Sequence, residues 1–332
     1  MRISIITPSY QQAPYLEECL RSVAGQDHPD VEHIVVDGGS SDGSVEVIRH
    51  HAHGLAWWCS EPDKGQAAAI NKGAARATGE VFGWINSDDL LLPGALGHVA
   101  SIFATHPHVQ VVTGARIRCL PDGREELLPT EDPADPHAWY VSPQVSQQAT
   151  FMRMSTFRNM QGVEEGLQYV MDLELWWRLL FLHGSEAVHV TDRPLGVFRI
   201  HAESKTSLAQ PLFVRETATL LHDACSRVGA VELARTIAMG YDPVKGLRVL
   251  PVERSHRELV EEMAVHFLLK WDRGLFSRQQ YRMMRSLLHT AAHVASRLPR
   301  EQLRQWRELE RAMRLPGWYA HRLHMAIKQW FR

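Results

Sequence analysis

The stretch Val81-Phe82-Gly83-Trp84-Ile85-Asn86-Ser87-Asp88-Asp89 decides the fold class. Its apolar first half predicts a buried parallel strand, and it ends in two adjacent carboxylates, Asp88 and Asp89. In open α/β sheets, ligands bind in the crevice at the carboxyl ends of the strands. The pair therefore indicates a place where a divalent cation and phosphates meet. A helix cap after Pro93 is the simpler alternative, but a cap needs only one acid.

The composition describes an ordinary globular protein. The chain has 332 residues, with 45% apolar residues, 22% charged residues and a formal net charge of −2. Because this balance lacks the basic field of nucleic-acid binders, we expect no nucleic-acid partner. The four cysteines are scattered without CxxC spacing, which favours a reduced, cytoplasmic setting. No segment resembles a signal peptide or a membrane span, so we expect any membrane contact to be peripheral.

The first ninety residues alternate short apolar runs with helical periodicity, which is typical of βαβ units and a mainly parallel sheet. Strands are predicted at 3–7, 33–36, 55–59 and 81–85, and helices at 15–23, 45–49 and 67–77.

The second half of the sheet is predicted to be mixed. Further strands are expected at 109–112 and 195–200, a hairpin turn at Pro121-Asp122-Gly123, and a helix at 172–183. The Pro-rich stretch 129–143 resists assignment and is long enough to be a functional surface loop. After about residue 211 only helical patterns follow, so we predict domains at 1–210 and 211–332.

Polar residues follow four of the predicted strands, which suggests one shared cleft. Neither GxGxxG nor GxxxxGK[ST] occurs, so the usual dinucleotide and P-loop phosphate sites are missing from the sequence. A carboxylate at Asp37 or Asp63 can accept hydrogen bonds from base N–H or ribose hydroxyl groups. For Asp37, a role as a turn residue beside glycine is a serious alternative.

Four ordered motifs resemble family 2 glycosyltransferases over roughly residues 1–205. They are Thr7-Pro8-Ser9-Tyr10, Val36-Asp37-Gly38-Gly39-Ser40-Ser41-Asp42-Gly43, Asp63-Lys64-Gly65 with Asn71-Lys72-Gly73, and Ser87-Asp88-Asp89. The resemblance implies a GT-A fold, which is a Rossmann-like mixed sheet flanked by helices, here with an all-helical C-terminal extension. It also implies a nucleotide-diphosphate sugar donor, Mn²⁺ or Mg²⁺, and transfer with inversion at the anomeric carbon.

The resemblance also implies roles for individual residues. The nucleotide would be bound by Thr7, Pro8, Tyr10, Asp37, Asp63, Lys64, Asn71 and Asp88. The metal would be held by Asp88, Asp89 and His201, and the acceptor side would be lined by Gln147, Gln148 and Trp176. His201 alone would more often be an ordinary surface residue, and Trp176 a core residue. One departure is Asn86, which stands where the family's Asp-x-Asp-Asp motif begins with an acid.

Asp172 matches the family's catalytic base in the motif Glu-Asp-x-x-Leu-Trp. Inverting transfer needs one carboxylate that removes the proton from the acceptor hydroxyl. Met171 replaces the preceding Glu, so this role depends on a single acid. The alternative is an acid favoured by the helix dipole at an N-terminus.

The resulting hypothesis is an inverting, metal-dependent glycosyltransferase that moves a sugar, most readily from a UDP-sugar, to a glycan or lipid-linked acceptor in cell-surface polysaccharide assembly. The alternative is a nucleotidyltransferase acting on sugar phosphates. It would use a similar sheet and a similar metal site but would not need a base on the acceptor side. Asn86 and Met171 keep open a nucleotide-sugar binding protein that has lost catalysis. The basic, aromatic tail at 311–332 predicts either contact with the inner face of a membrane or packing onto the catalytic domain or a partner subunit.

Overall fold

The computed structural model describes residues 1–205, 209–271 and 278–314. The chain forms two compact units. The first consists of Met1–Trp139 with Pro143–Gln210, and the second of Tyr140–Ser142 with Pro211–Arg332. The domain assignment made from the sequence stays a proposal.

The first unit is built on a mixed sheet, which confirms the predicted α/β fold class. Nine strands lie within the described residues: β1 (Ile3–Ser9), β2 (Val31–Asp37), β3 (Trp57–Ser60), β4 (Val81–Trp84), β5 (Leu90–Leu91), β6 (Val111–Cys119), β7 (Glu125–Leu128), β8 (Thr150–Arg153) and β9 (Val188–Arg199). Their order is β3-β2-β1-β4-β8-β6-β9-β5, with β7 paired to β6.

The first four strands are parallel, as their sequence pattern predicts. Every residue of β1 is buried, because the strand lies inside the sheet with helices on its faces. The helices of this unit are α1 (Ala13–Ala24), α2 (Ser44–His51), α3 (Gln66–Arg76), α4 (Ala95–Thr105), α5 (Ala138–Val141), α6 (Met154–Asn159) and α7 (Met171–His183). The carboxyl ends of β1, β2, β3 and β4 therefore meet at one edge.

The second half of the sheet contains strands that periodicity did not predict. β8 runs antiparallel between β4 and β6, and β5 pairs with the far edge of β9. Only two residues of β8, Phe151 and Met152, are buried, so its apolar signal is too short to predict a strand. β9 begins seven residues earlier than expected, because half-buried and exposed residues around Thr191 interrupt the apolar pattern. The predicted turn at Pro121-Asp122-Gly123 joins β6 to β7.

The stretch 129–143 is exposed at 132–137, with buried residues on either side. Thr130 and Glu131 are buried, and α5 forms a helical turn near its end. The Glu131 carboxylate accepts a hydrogen bond from the Gln144 amide at 2.6 Å. Burial raises the pKa of Glu131 to about 7.

α7 lies almost entirely in the core. Trp176 and Trp177 are both buried, although adjacent helical residues usually point in different directions. Glu174 and Arg178 form a buried ion pair at 2.8 Å, and the Arg178 guanidinium also donates to backbone carbonyls of Met160 and Gly162. These bonds satisfy a charge pair that would otherwise be costly to bury.

The regular elements among the described residues of the second unit are all helices, which confirms the predicted all-helical C-terminal region. Its helices are α8 (Gln210–Arg227), α9 (Val231–Gly240), α10 (Arg257–Trp271), α11 (Arg278–Thr290) and α12 (Arg300–Met313). Trp306 anchors α12 with 1% of its surface exposed. None of the helices in the described part of the chain has the length and apolarity needed to span a bilayer. Most of the basic, aromatic tail, from 315 to 332, lies outside the described residues.

Candidate functional site

A cleft of about 540 Å³ opens at the carboxyl ends of the parallel strands. This volume lies within the range of small-molecule sites. Residues from several separate parts of the first unit line it, among them Pro8 near the end of β1 and Tyr10 after it, Gly38 after β2, Asp63 after β3, Asn86, Asp88 and Asp89 after β4, and Ser204 and Lys205 after β9. The cleft lies at the edge of the sheet where the sequence predicts a ligand.

The paired acids after β4 are held in different ways. Asp89 is 1% exposed, and its carboxylate accepts a hydrogen bond from the Arg199 amide at 3.0 Å. Asp88 is more open, and its Oδ2 lies 3.1 Å from Nε2 of His201. The Arg199 guanidinium also contacts the backbone carbonyl of Asp88. The end of β9 and the residues just after it therefore fix both acids, through Arg199 and His201.

His201 is held by an aromatic neighbour. Its ring stacks on Tyr15 with the centroids 4.3 Å apart. The Arg199 guanidinium also lies over the Tyr15 ring, 5.2 Å from its centroid, and donates to the Tyr15 carbonyl at 3.1 Å. Tyr15, Arg199 and His201 thus form one packed group that aims the imidazole at Asp88.

The chemistry of these side chains fits a divalent cation whose coordination shell is completed by oxygens of a bound ligand. Burial and the neighbouring Asp88 charge raise the pKa of Asp89 well above its ordinary value. A cation would relieve this repulsion between adjacent carboxylates. Within the described ranges, no three Asp, Glu, His or Cys side chains surround a common point. Magnesium-type sites commonly take only one or two protein carboxylates and complete their shell with phosphate oxygens and water.

The wall after β2 is shaped by Asp37. This buried carboxylate accepts from the amides of Gly39 and Ser40 at 3.1 and 2.9 Å, and from the hydroxyls of Ser40 and Ser60, both at 2.6 Å. Both its oxygens are used inside the protein, as the turn-residue alternative predicts. Asp37 does not line the cleft itself, whereas the next residue, Gly38, does.

Gly38 brings two predicted nucleotide-binding residues close together. A Cβ at Gly38 would lie 3.2 Å from the Tyr10 ring and 3.3 Å from the Asp63 carboxylate. Asp63 itself accepts from the Gly65 amide at 2.8 Å, where Gly65 has a φ of +113°. Tyr10 is 61% exposed, so its ring face is accessible from the cleft.

Three other residues with predicted nucleotide roles lie away from the cleft. Thr7 is buried and its hydroxyl bonds to Nε2 of His33 at 2.9 Å. Asn71 binds the backbone of Val163 through both atoms of its amide, at 3.0 Å each. Lys64 is also absent from the cleft lining, and its carbonyl accepts from Gln168 at 3.5 Å. Their contacts support the loops around the cleft, and direct nucleotide contacts by them stay predictions.

Asp172 lies at a second, smaller cavity of about 20 Å³. The lining is mainly apolar and includes Trp84, Leu175 and Trp176, with Gln147 as a polar member. Burial raises the pKa of Asp172, and the charges of Arg116 and Lys205 act in the opposite direction. A half-buried carboxylate of this kind is suited to accept a proton.

The predicted acceptor-side residues divide into two groups. Gln147 and Trp176 line the cavity with Asp172. Trp176 also packs in the core, with its indole donating to the Trp139 carbonyl at 3.3 Å. Gln148 is 5% exposed and packs beneath β9 against Gly196, and it lines neither cavity.

Sequence reasoning missed several residues that the fold brings to the site. Lys205 lines the cleft and donates to Gln66 at 2.9 Å and to the Gln168 carbonyl at 3.1 Å. Gln66 lines it as well, from the first turn of α3. Arg116 on β6 donates to the Val145 carbonyl at 3.1 Å and is a cation close enough to act on Asp172. A single lysine or glutamine at the start of a helix carries no distinctive sequence signal, although Lys205 follows His201 closely.

Comparison with known proteins identifies the family of the domain that contains this cleft. Residues 4–161 match the family described as Glycosyl transferase family 2. These residues form a family 2 glycosyltransferase domain. The resemblance drawn from the four motifs is thereby confirmed.

Curated relatives are also named as glycosyltransferases. The chain is 36% identical over 115 residues to an uncharacterized glycosyltransferase of Nostoc sp., covering 34% of this chain and 36% of that protein. It is 36% identical over 90 residues to the putative teichuronic acid biosynthesis glycosyltransferase TuaG of Bacillus subtilis, covering 26% of this chain and 36% of the relative. The chain thus spans about a third of the length of these relatives.

Solved structures show the GT-A fold for this domain, and their matches extend over the helical region that follows it. Staphylococcus aureus TarS 1-349 in complex with UDP-GlcNAc matches with a TM-score of 0.62 and 16% identity, over 95% of this chain and 92% of that one. The mannosyltransferase PcManGT from Pyrobaculum calidifontis, in complex with GDP-Man and Mn²⁺, matches with a TM-score of 0.52 and 15% identity, over 98% and 84%.

Proposed function

We propose that this protein is an inverting, metal-dependent glycosyltransferase that transfers a sugar from a UDP-sugar to a hydroxyl group of a glycan or lipid-linked acceptor. One observation carries the proposal. Acids, an exposed aromatic ring and a lysine from separate strand ends line one cleft, and a carboxylate with a raised pKa lines the next cavity.

The cleft suits the nucleotide of the donor. The exposed ring of Tyr10 offers a stacking face for a base, and Asp63 beside it offers acceptor oxygens for base or ribose donors. Lys205 supplies a positive charge that would favour the diphosphate. The TarS complex with UDP-GlcNAc makes uridine the leading base, and PcManGT with GDP-Man gives the nearest competing one.

Asp88 and His201 are the proposed metal-holding residues, with Asp89 as the buried charge behind them. Nε2 of His201 lies 3.1 Å from Oδ2 of Asp88, and Asp88 and Asp89 line the cleft, whereas His201 lies just behind its lining. A divalent cation bound there would offset the negative charge that develops on the diphosphate as it leaves. The complex of PcManGT with Mn²⁺ favours manganese as the first ion to test.

Asp172 is the proposed base in the transfer step. It would take the proton of the acceptor hydroxyl while that oxygen forms a bond to the anomeric carbon. The bond from that carbon to the diphosphate breaks on the opposite face, and its electron pair leaves with the nucleotide. A single displacement of this kind inverts the anomeric configuration.

Polysaccharide assembly at the cell surface is the proposed setting. It is supported by the match to TuaG, whose name places that relative in teichuronic acid biosynthesis. All four cysteines are free, which suits a reducing, cytoplasmic compartment. Attachment to the inner face of a membrane would bring the enzyme to a lipid-linked acceptor.

A thermal-shift panel of nucleotide sugars tests the donor assignment. We expect UDP-sugars with Mn²⁺ to raise the unfolding temperature, since a ligand at 100 times its dissociation constant adds about 2.7 kcal/mol to the free energy of unfolding. The same sugars with chelator should stabilise the protein much less. Equal stabilisation with and without Mn²⁺, or stabilisation only by GDP-sugars, would contradict the proposed donor and metal.

A further inference from the structure

A chain of hydrogen-bonded side chains links the cleft to the Asp172 cavity through Asn86. Lys205 donates to Oε1 of Gln66 at 2.9 Å, and Gln66 donates through Nε2 to Oδ1 of Asn86 at 2.6 Å. Asn86 then donates through Nδ2 to Oε1 of Gln147 at 3.1 Å, and Gln147 donates to the Trp84 carbonyl at 2.6 Å. The chain runs in one direction, each group accepting from one neighbour and donating to the next.

Asn86 is the member that joins the two cavities. It lines the cleft, whereas its partner Gln147 lines the cavity that contains Asp172. Gln147 is 8% exposed, so few waters are available to replace a lost partner. Trp84 lines the same small cavity, and its carbonyl is the last acceptor in the chain.

We propose that Asn86 is a positioning residue that holds Gln147 and Trp84 in register with the donor cleft, and that an amide is required at this position. The inference rests on the proposed function for its effect on turnover. An amide accepts on one side and donates on the other, whereas an ionised carboxylate can only accept. Asn86→Asp would keep the bond from Gln66 but place an oxygen against Oε1 of Gln147 and against the carboxylate of Asp89, to which the Asn86 side chain also bonds.

Gln147 cannot restore this hydrogen bond by turning its side-chain amide without losing another one. If its amide turned to donate to the introduced carboxylate, its oxygen would face the Trp84 carbonyl, and the 2.6 Å bond there would be lost. The substitution therefore costs one hydrogen bond in either arrangement. This expectation is the opposite of what the motif alone predicts. The family pattern has an acid at this position, so the motif predicts that Asn86→Asp restores activity.

The test compares binding with turnover. In Asn86→Asp we expect the dissociation constant of UDP with Mn²⁺, measured by calorimetry, to rise by a smaller factor than kcat falls, because the bond from Gln66 on the cleft side is kept. We expect UDP release from UDP-N-acetylglucosamine, or from whichever UDP-sugar the wild type turns over, to fall about tenfold or more in kcat. Gln147→Ala should cause a similar loss, and the double variant no more than the larger single effect, since both remove one interaction.

A second readout does not depend on turnover. With 5-fluorotryptophan incorporated, the ¹⁹F resonance of Trp84, assigned with Trp84→Phe, should move in Asn86→Asp and in Gln147→Ala. The control Asn159→Asp makes the same chemical change at an exposed position at the end of α6 and should leave the resonance in place.

The outcomes separate the two proposals. If the wild type turns over no nucleotide sugar but the Trp84 resonance moves as expected, the proposed function fails and the positioning role stands. The inference is overturned if Asn86→Asp leaves both kcat and the Trp84 resonance unchanged, if it raises kcat, or if its effect multiplies with that of Gln147→Ala.

Discussion

Asp172→Asn should reduce sugar transfer by about 10²–10⁴-fold, which is the usual contribution of a positioned general base. The amide keeps the size of the carboxyl group but cannot take up the proton of the acceptor hydroxyl at neutral pH. UDP binding should change little, because Asp172 lines the smaller cavity and not the cleft. The measurement is kcat for transfer, together with the dissociation constant of UDP in the presence of Mn²⁺.

The pH dependence of transfer gives a second test of Asp172, with a predicted direction. Burial raises the pKa of Asp172, so the carboxylate form is lost at a higher pH than for an exposed aspartate. Transfer by the wild type should therefore decline on the acid side, above the pH at which an exposed aspartate titrates. The residual activity of Asp172→Asn should lack this limb. Asp192→Asn, an exposed acid on β9, serves as the control. Transfer by Asp172→Asn at the wild-type rate would exclude its assignment as base.

Asp88→Asn should cause the second large loss, through the metal. Removing one proposed ligand should lower transfer by about 10²-fold or more, since metal stabilisation of a leaving diphosphate contributes several kcal/mol. A chelator should reduce the wild type to the level of the variant and should reduce the variant little further. Calorimetry should show that Mn²⁺ no longer strengthens UDP binding in the variant.

The stability of Asp88→Asn should change in the opposite direction. The charge of Asp88 raises the pKa of the buried Asp89, so removing it relieves a repulsion in the folded protein. Without metal, the unfolding temperature of the variant at neutral pH should equal or exceed that of the wild type. If transfer and metal dependence survive in Asp88→Asn, the metal is held elsewhere.

The parallel half of the fold was predictable because its strands carry long apolar runs. β1 and β4 are buried along their whole lengths, and their periods match the βαβ pattern. The antiparallel half was harder to predict. β8 has only two buried residues, and its place between β4 and β6 depends on pairing over long sequence distances.

The candidate site shows the same division. Asp88 and Asp63 follow strands, so the rule that ligands bind at strand ends brings them to the cleft. Motif matching could not tell which side chains point into it. Thr7 and Asn71 belong to the quoted motifs, yet their polar atoms bond to His33 and to the Val163 backbone. The position of a side chain depends on partners that are distant in sequence.

Asn86 is the sharpest example of this limit. As a departure from the motif, it suggests weakened metal binding or lost catalysis. Besides a bond to the nearby Asp89, its side chain has two distant partners, Gln66 at 2.6 Å and Gln147 at 3.1 Å, which lie 20 and 61 residues away in sequence. No local pattern predicts such a pair.

The anomeric configuration of the product tests the proposed function most directly. The protein would be incubated with Mn²⁺, an α-linked UDP-sugar that stabilises it and a panel of acceptors with free hydroxyl groups, and the configuration of the new glycosidic linkage would be read by ¹H NMR. Attack from the face opposite the diphosphate, with Asp172 as base, predicts a β-linked product. An α-linked product, or formation of a nucleotide sugar from a sugar phosphate in place of transfer, would contradict it.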